Sequence, residues 1–202
     1  MTAPNESTKP EPWPVLASET EYETGWYDGG YDLVEQPDGT TKRYYWADLP
    51  PAVVVVARLA GTEVVSDASD DDATHDADTD YLLFVEQYRP AIGEHHLELP
   101  AGIVEDGESY TQAARRELEE ETGFVPTSTA LIQEYAVATG VLRHDRGIVV
   151  ADGLVPGERA LESNEFLTVR SIPVGEVLDR ARAAPANDAT LSALLLAKLF
   201  ER

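Results

Sequence analysis

Between Gly102 and Phe124 the chain is denser in acid than a helix surface requires. Gly102-Ile-Val-Glu-Asp-Gly-Glu108 is followed by Arg115-Arg116-Glu117-Leu118-Glu119-Glu120-Glu121-Thr122-Gly123-Phe124. On a helix advancing about 100° per residue, Glu117, Glu120 and Glu121 fall within an arc of about 100°, while Ala114 and Leu118 turn to a neighbouring face where they can pack. Carboxylates held this close repel one another more strongly as water is excluded, so the group is tolerable only when solvated or neutralised by cations. Oxygen ligands suit Mg²⁺ or Mn²⁺ rather than zinc. The chain has no cysteine, which excludes disulfides, thiolate zinc sites and a cysteine nucleophile. A solvated acidic helix face with Arg116 paired to a glutamate four residues on has the same composition, so the residues around it must decide.

The elements that would position these carboxylates are readable. A helix is expected over 109–122, opening at a Ser109 cap and closing before Gly123. Ala52–Ala57 (AVVVVA) is a continuous apolar run, expected to be a central strand buried on both faces. Further strands are expected near 63–65, 81–87, 129–137, 147–152 and 166–170, and helices over 174–183 and 188–201, the last from an Asn187/Asp188 cap. Upstream, Gln36-Pro37-Asp38-Gly39 places Pro and Gly at turn positions between 30–36 and 41–47, which reads as an antiparallel β-hairpin. Residues 1–20 lack periodicity and read as a disordered tail, 21–50 as the hairpin region and 51–202 as the main domain. Residues 66–80 carry seven aspartates and no apolar side chain larger than Ala, and they lack the Gly and final Glu of a calcium loop, so they read as a solvated insertion. Mixed strands with few helices argue for an α+β fold in which a mixed sheet lies between helices.

The spacing of Gly102, Glu108, Arg116-Glu117, Leu118, Glu120-Glu121, Gly123 and Phe124 resembles the whole signature of the Nudix hydrolases. The resemblance implies that Glu117 and Glu121 are the principal metal ligands, that Glu120 is a further one, and that the Ala101 carbonyl is a backbone ligand. It implies that Arg116 orients the glutamates, that Glu108 supports the loop and that Gly102 belongs to a loop whose amides face substrate phosphates. Val85-Glu-Gln-Tyr-Arg89 and Glu98-Leu-Pro-Ala-Gly102 resemble the ADP-ribose pyrophosphatase branch, and the likeness covers about residues 22–202. In that branch Arg89 would bind the diphosphate, unless it is a surface salt bridge; Glu98 would contact metal or ribose, unless it is an ordinary strand carboxylate. The loop acid that poises water is either Glu162 or Glu165. His95 and His96 read as structural or exposed. The implied reaction is Mg²⁺- or Mn²⁺-dependent cleavage of ADP-ribose to AMP and ribose 5-phosphate. The alternatives are another diphosphate, such as a nucleotide sugar or a dinucleotide, or a sensor that binds without hydrolysis. The branch often exchanges its N-terminal hairpin across a two-fold axis, and Trp26, Tyr27, Tyr31, Tyr44, Tyr45 and Trp46 supply aromatic surface for it, so a homodimer is expected.

The charge narrows the partners. Thirty-eight Asp and Glu stand against fifteen Lys and Arg in 202 residues, a formal charge of −23, which opposes binding to nucleic acid or anionic lipid. Only Lys9, Lys42 and Lys198 are lysines, and arginine over lysine with acid spread along the chain reads as adaptation to a high-salt cytoplasm. No targeting segment or membrane-spanning stretch is evident, so a cytoplasmic location is expected.

Overall fold

The computed structural model describes residues 11–61, 79–161, 163 and 165–200. The strand expected near 63–65, nearly all of the acidic insertion, and Glu162 lie outside them. The chain divides into two units, one made of the described residues up to Leu49 with Val137–His144, the other of Pro50–Ala136 with the described residues from Asp145 onward.

The first unit is a four-stranded sheet in the order β1 (Val15–Glu23), β2 (Asp28–Glu35), β3 (Thr41–Asp48), β9 (Leu142–Arg143). The expected hairpin is β2–β3, antiparallel from Asp28↔Asp48 to Glu35↔Thr41. Two departures enlarge it. Residues 15–20, read as tail, belong to β1, which pairs antiparallel with β2. All nine of its residues are exposed, so it carries no apolar alternation to betray it. Backbone pairing holds it, aided by Ser18 Oγ donating to Asp32 (2.7 Å) and Tyr31 Oη donating to Glu19. β9 then pairs parallel with β3 through Ala47↔Leu142 and Asp48↔Arg143.

The second unit holds the mixed sheet, in the order β11 (Leu167–Pro173), β5 (Tyr81–Arg89), β4 (Ala52–Leu59), β10 (Asp145–Pro156), β8 (Phe124–Ala136). β6 (Glu94–Glu98) pairs with β5 and β7 (Ala101–Ile103) with β4. β4 and β10 run parallel and the other pairs antiparallel.

The period-2 alternation of β4 serves two cores, which explains its unbroken apolar run. Val53, Val55, Ala57 and Leu59 join Ala113, Ala114 and Leu118 of α1 (Tyr110–Thr122). Val54 and Val56 face Val177 and Ala181 of α2 (Val177–Arg182) and Ala193, Leu194 and Ala197 of α3 (Asp188–Phe200). The sheet therefore lies between α1 and the α2–α3 pair, the α+β arrangement expected. Asn187 Oδ1 accepts from the Thr190 N–H at 2.8 Å, as its capping position predicts. No helix among the described residues is long and apolar enough to cross a membrane.

Candidate active site

α1 is fixed at both ends by its own sequence. Ser109 accepts from the Gln112 N–H, and the Gln112 side chain accepts from the Ser109 N–H (2.9 Å), a reciprocal capping box. Gly123 ends the helix with φ 77°, ψ 18°, a left-handed conformation that costs glycine little, and returns its N–H to the Glu119 carbonyl. With Ala113, Ala114 and Leu118 packed on the sheet, the helix cannot roll, and its glutamates are turned to one side.

Those glutamates are not a loose solvated face. Glu117 is 8% exposed and Glu121 3%, whereas Glu120 is half-buried. Arg116 organises the cluster. Its Nε and Nη2 fork onto Glu108 at 3.2 and 3.0 Å, Nη1 reaches Glu117 at 2.7 Å and Glu120 at 3.1 Å, and Nη2 also donates to the Ile103 carbonyl at 2.8 Å. Bonding to Glu108 is the main reason the guanidinium is held well above its ordinary pKa, and the same bonds lower that of Glu108. Glu108 also accepts from the Glu105 N–H at 3.1 Å, so one carboxylate ties the β7–α1 loop to the helix.

β7 lies against this face. The Ala101 N–H donates to Glu121 at 3.2 Å. A Cβ on Gly102 would stand 2.0 Å from the Glu117 carboxyl carbon, so the missing side chain is the space that carboxylate occupies. Burial raises the pKa of Glu121 well above the carboxylate range, and the Glu117 charge raises it further; the Ala101 N–H and the Arg89 charge oppose them. Burial likewise raises Glu117 against the pull of Arg116, with Glu120 and Glu165 adding to the rise.

Two adjacent buried carboxylates whose ionised forms are disfavoured by burial and mutual repulsion fit a divalent cation, which would supply the missing charge. No three His, Asp or Glu side chains among the described residues form a ready ligand cluster. The expected convergence of three carboxylates is thus a shared face, with Arg116 spacing Glu117 and Glu120. An open pair suits Mg²⁺, which retains waters and substrate oxygens beside one or two carboxylates.

Arg89 and Glu98, expected near the substrate, meet each other. Arg89 Nε lies 3.2 Å from both Glu98 oxygens and Nη2 lies 2.5 Å from one, while Gln87 Nε2 donates to Glu98 at 3.2 Å. The Glu98 side chain is 12% exposed and that of Arg89 44%, so an exposed cation stands on a buried carboxylate. Of the two histidines, His95 is exposed and packs on Tyr88 (ring centroids 5.2 Å), and His96 is buried with Nε2 3.7 Å from Glu94. Of the two candidate loop acids, Glu165 is described, and its charge raises the pKa of both Glu117 and Glu121.

A residue that sequence reasoning passes over also touches this site. Arg159 Nε donates to the Glu121 carbonyl at 2.7 Å. A cation at a helix C-terminus is a recognisable preference only when it lies near that end in sequence; this one arrives from 38 residues away.

Comparison with known proteins decides the family. A profile described as the NUDIX domain matches residues 70–194, more than half of the chain. The chain belongs to the Nudix family. Among Nudix and other relatives, a methanol dehydrogenase activator of Bacillus methanolicus is 31% identical over 73% of this chain and 71% of its own. An ADP-sugar pyrophosphatase of Mus musculus is 36% identical over 52% of this chain, and the match spans about half of that protein, 51%. An ADP-ribose pyrophosphatase of Bacillus subtilis is 26% identical over 77% of this chain and 76% of its own. A crystal structure of an ADP compounds hydrolase shares the fold with a TM-score of 0.77, covering 96% of each chain at 23% identity. The helix built around Arg116 carries the spacing that signals this family.

Proposed function

We propose that the protein is a divalent-metal-dependent pyrophosphohydrolase that splits ADP-ribose into AMP and ribose 5-phosphate. The observation that carries the reading is the buried Glu117–Glu121 pair, set by Arg116 on one side and by the Ala101–Gly102 backbone on the other. The names of the mouse and Bacillus subtilis relatives support a substrate in which ADP is linked to a sugar. A bound Mg²⁺ or Mn²⁺ would neutralise the diphosphate and act as a Lewis acid on it. Glu117 and Glu121 would hold it, with Glu120 and the Ala101 carbonyl as further oxygen donors.

The chain's own groups then do the rest. Arg116 keeps Glu117 and Glu120 from turning away under their mutual repulsion. Glu98, itself bonded by Gln87, holds the Nε and Nη2 edge of the Arg89 guanidinium, which presents its remaining N–H groups to the diphosphate. The Glu165 carboxylate accepts a proton from the attacking water, whose oxygen bonds to one phosphorus as the bridging phosphorus–oxygen bond to that phosphorus breaks, giving AMP and ribose 5-phosphate, and the proton passes on to solvent.

Purified protein with Mg²⁺, offered ADP-ribose, nucleotide sugars and dinucleotides in molar KCl, should turn over ADP-ribose fastest and release AMP with ribose 5-phosphate. Glu121→Gln should lower kcat by about a hundredfold or more while leaving the protein folded. Faster turnover of a dinucleotide, or binding of ADP-ribose without products, would replace the substrate assignment. Undiminished activity in Glu121→Gln would remove the site.

A further inference from the structure

Residues 157–160, which follow β10, run along the last turn of α1. A helix leaves its final carbonyls without partners inside the helix, and here this segment supplies donors. The Gly157 N–H reaches the Gly123 carbonyl at 2.7 Å, and the Ala160 N–H reaches that of Glu120 at 3.1 Å. Between them Arg159 donates through Nε to the Glu121 carbonyl at 2.7 Å and through Nη2 to the Leu167 carbonyl at 2.8 Å. Its stem packs at the helix end, where a Cβ on Gly123 would come to 3.4 Å from the Arg159 Cβ.

One planar guanidinium therefore joins two points that matter to the chemistry. The first is the backbone of the glutamate buried deepest in the acidic face. The second is the first residue of β11. Glu165 lies in sequence between Arg159 and Leu167, two residues before the second anchor. The fork is rigid, so its two hydrogen bonds fix a distance and an orientation together. The positive charge also suits the negative end of the helix dipole.

We propose that Arg159 is a positioning residue for hydrolysis, clamping the start of β11 to the end of α1 so that Glu165, two residues before the clamped carbonyl, is held in place beside the turn that carries Glu121. The proposal rests on the function given above, and it assigns Arg159 no contact with substrate or metal. If the clamp acts through Glu165, its loss misplaces the proton acceptor but leaves the diphosphate subsite intact, so kcat falls and KM does not.

The test compares full-length Arg159→Ala and Arg159→Lys with the unaltered protein on ADP-ribose and Mg²⁺, alone and combined with Glu165→Gln. Arg159→Ala should lower kcat about tenfold to a hundredfold, the scale of an ångström's misplacement, with KM changed less than about twofold. Arg159→Lys keeps the charge but loses the fork and should recover part of the rate. In the Glu165→Gln background Arg159→Ala should have no further effect, because both changes act through one group. An unchanged kcat in Arg159→Ala, a loss carried by KM, or equal losses in both backgrounds overturns the proposal. Should Arg159→Ala fail to fold, Arg159→Lys in the two backgrounds makes the same comparison. Glu121→Gln separates the two claims. Full activity there removes the hydrolytic site, whereas an inactive Glu121→Gln beside a fully active Arg159→Ala removes only the clamp.

Discussion

At the scale of single residues, the site depends as much on what is missing as on what is present. Gly102 has space for no side chain because the Glu117 carboxylate fills it, with a hypothetical Cβ only 2.0 Å from the carboxyl carbon. The obstacle is the far end of a flexible side chain, so Gly102→Ala should fold by letting Glu117 swing aside. The displacement, not strain, is then the damage. We expect a melting temperature within a few degrees of the unaltered protein, about the shift of 1 kcal/mol or less, and a kcat reduced about a hundredfold. A variant that melts early, or one that melts normally and works normally, would show that the glycine serves some other end. The sequence made the residue types of this face legible, because Gly102, Arg116 and the glutamates stand at fixed spacings along β7, the loop after it and a single helix. It could not make Arg159 legible, since a clamp formed across 38 residues leaves no periodic trace.

At the scale of elements, legibility follows burial. β4 and α1 bury alternating or helical faces against a core, and their apolar patterns predict them. β1 buries nothing, so composition read it as tail, and only its pairing with β2 reveals it. The sheet to which β1 belongs is instead tied by polar side chains centred on Asp32. Its carboxylate accepts from Ser18 (2.7 Å), Trp46 Nε1 (3.1 Å) and Arg143 (2.6 Å), and Arg143 stacks 4.0 Å from the Trp46 ring. Those donors, Ser18 foremost, hold the Asp32 pKa below the ordinary carboxylate value. A carboxylate with a lowered native pKa stabilises the fold above its unfolded pKa, about 3.9, and loses that contribution as the pH falls through the native value. Asp32→Asn should therefore unfold at lower urea than the unaltered protein near neutrality, with the gap narrowing below about pH 4. All three tryptophans, Trp13, Trp26 and Trp46, lie in this unit, so their fluorescence reports its unfolding. A gap that stays constant through the acid range would mean that Asp32 contributes shape and not charge.

At the scale of the whole molecule, two surface properties make predictions that the site does not. The four-stranded unit exposes Trp26 (61%), Tyr45 (54%) and Tyr22 (47%), more aromatic surface than an isolated sheet usefully shows to water. We expect a homodimer formed through this unit, and light scattering that returns the mass of one chain would refute it. The second property is charge, and it acts on both units. With 38 acidic residues against 15 basic ones, the net −23 is a self-repulsion that folding must overcome. Local pairing offsets part of it, since Arg116 alone is bonded to three glutamates. Fifteen basic residues are too few to pair one for one with thirty-eight acidic ones. Their repulsion is set by the screening length, about 3 Å at 1 M salt and about 30 Å at 0.01 M, so carboxylates that ignore one another in brine act collectively in dilute buffer. The buried pairs are screened far less and should keep their geometry across that range. Salt should therefore stabilise the fold without reshaping the site. The melting temperature should climb steeply between about 0.1 and about 3 M KCl, a range chosen only to vary screening, while KM for ADP-ribose moves little once the protein is folded. A melting temperature flat across that range would overturn adaptation to high salt and leave the hydrolytic site untouched.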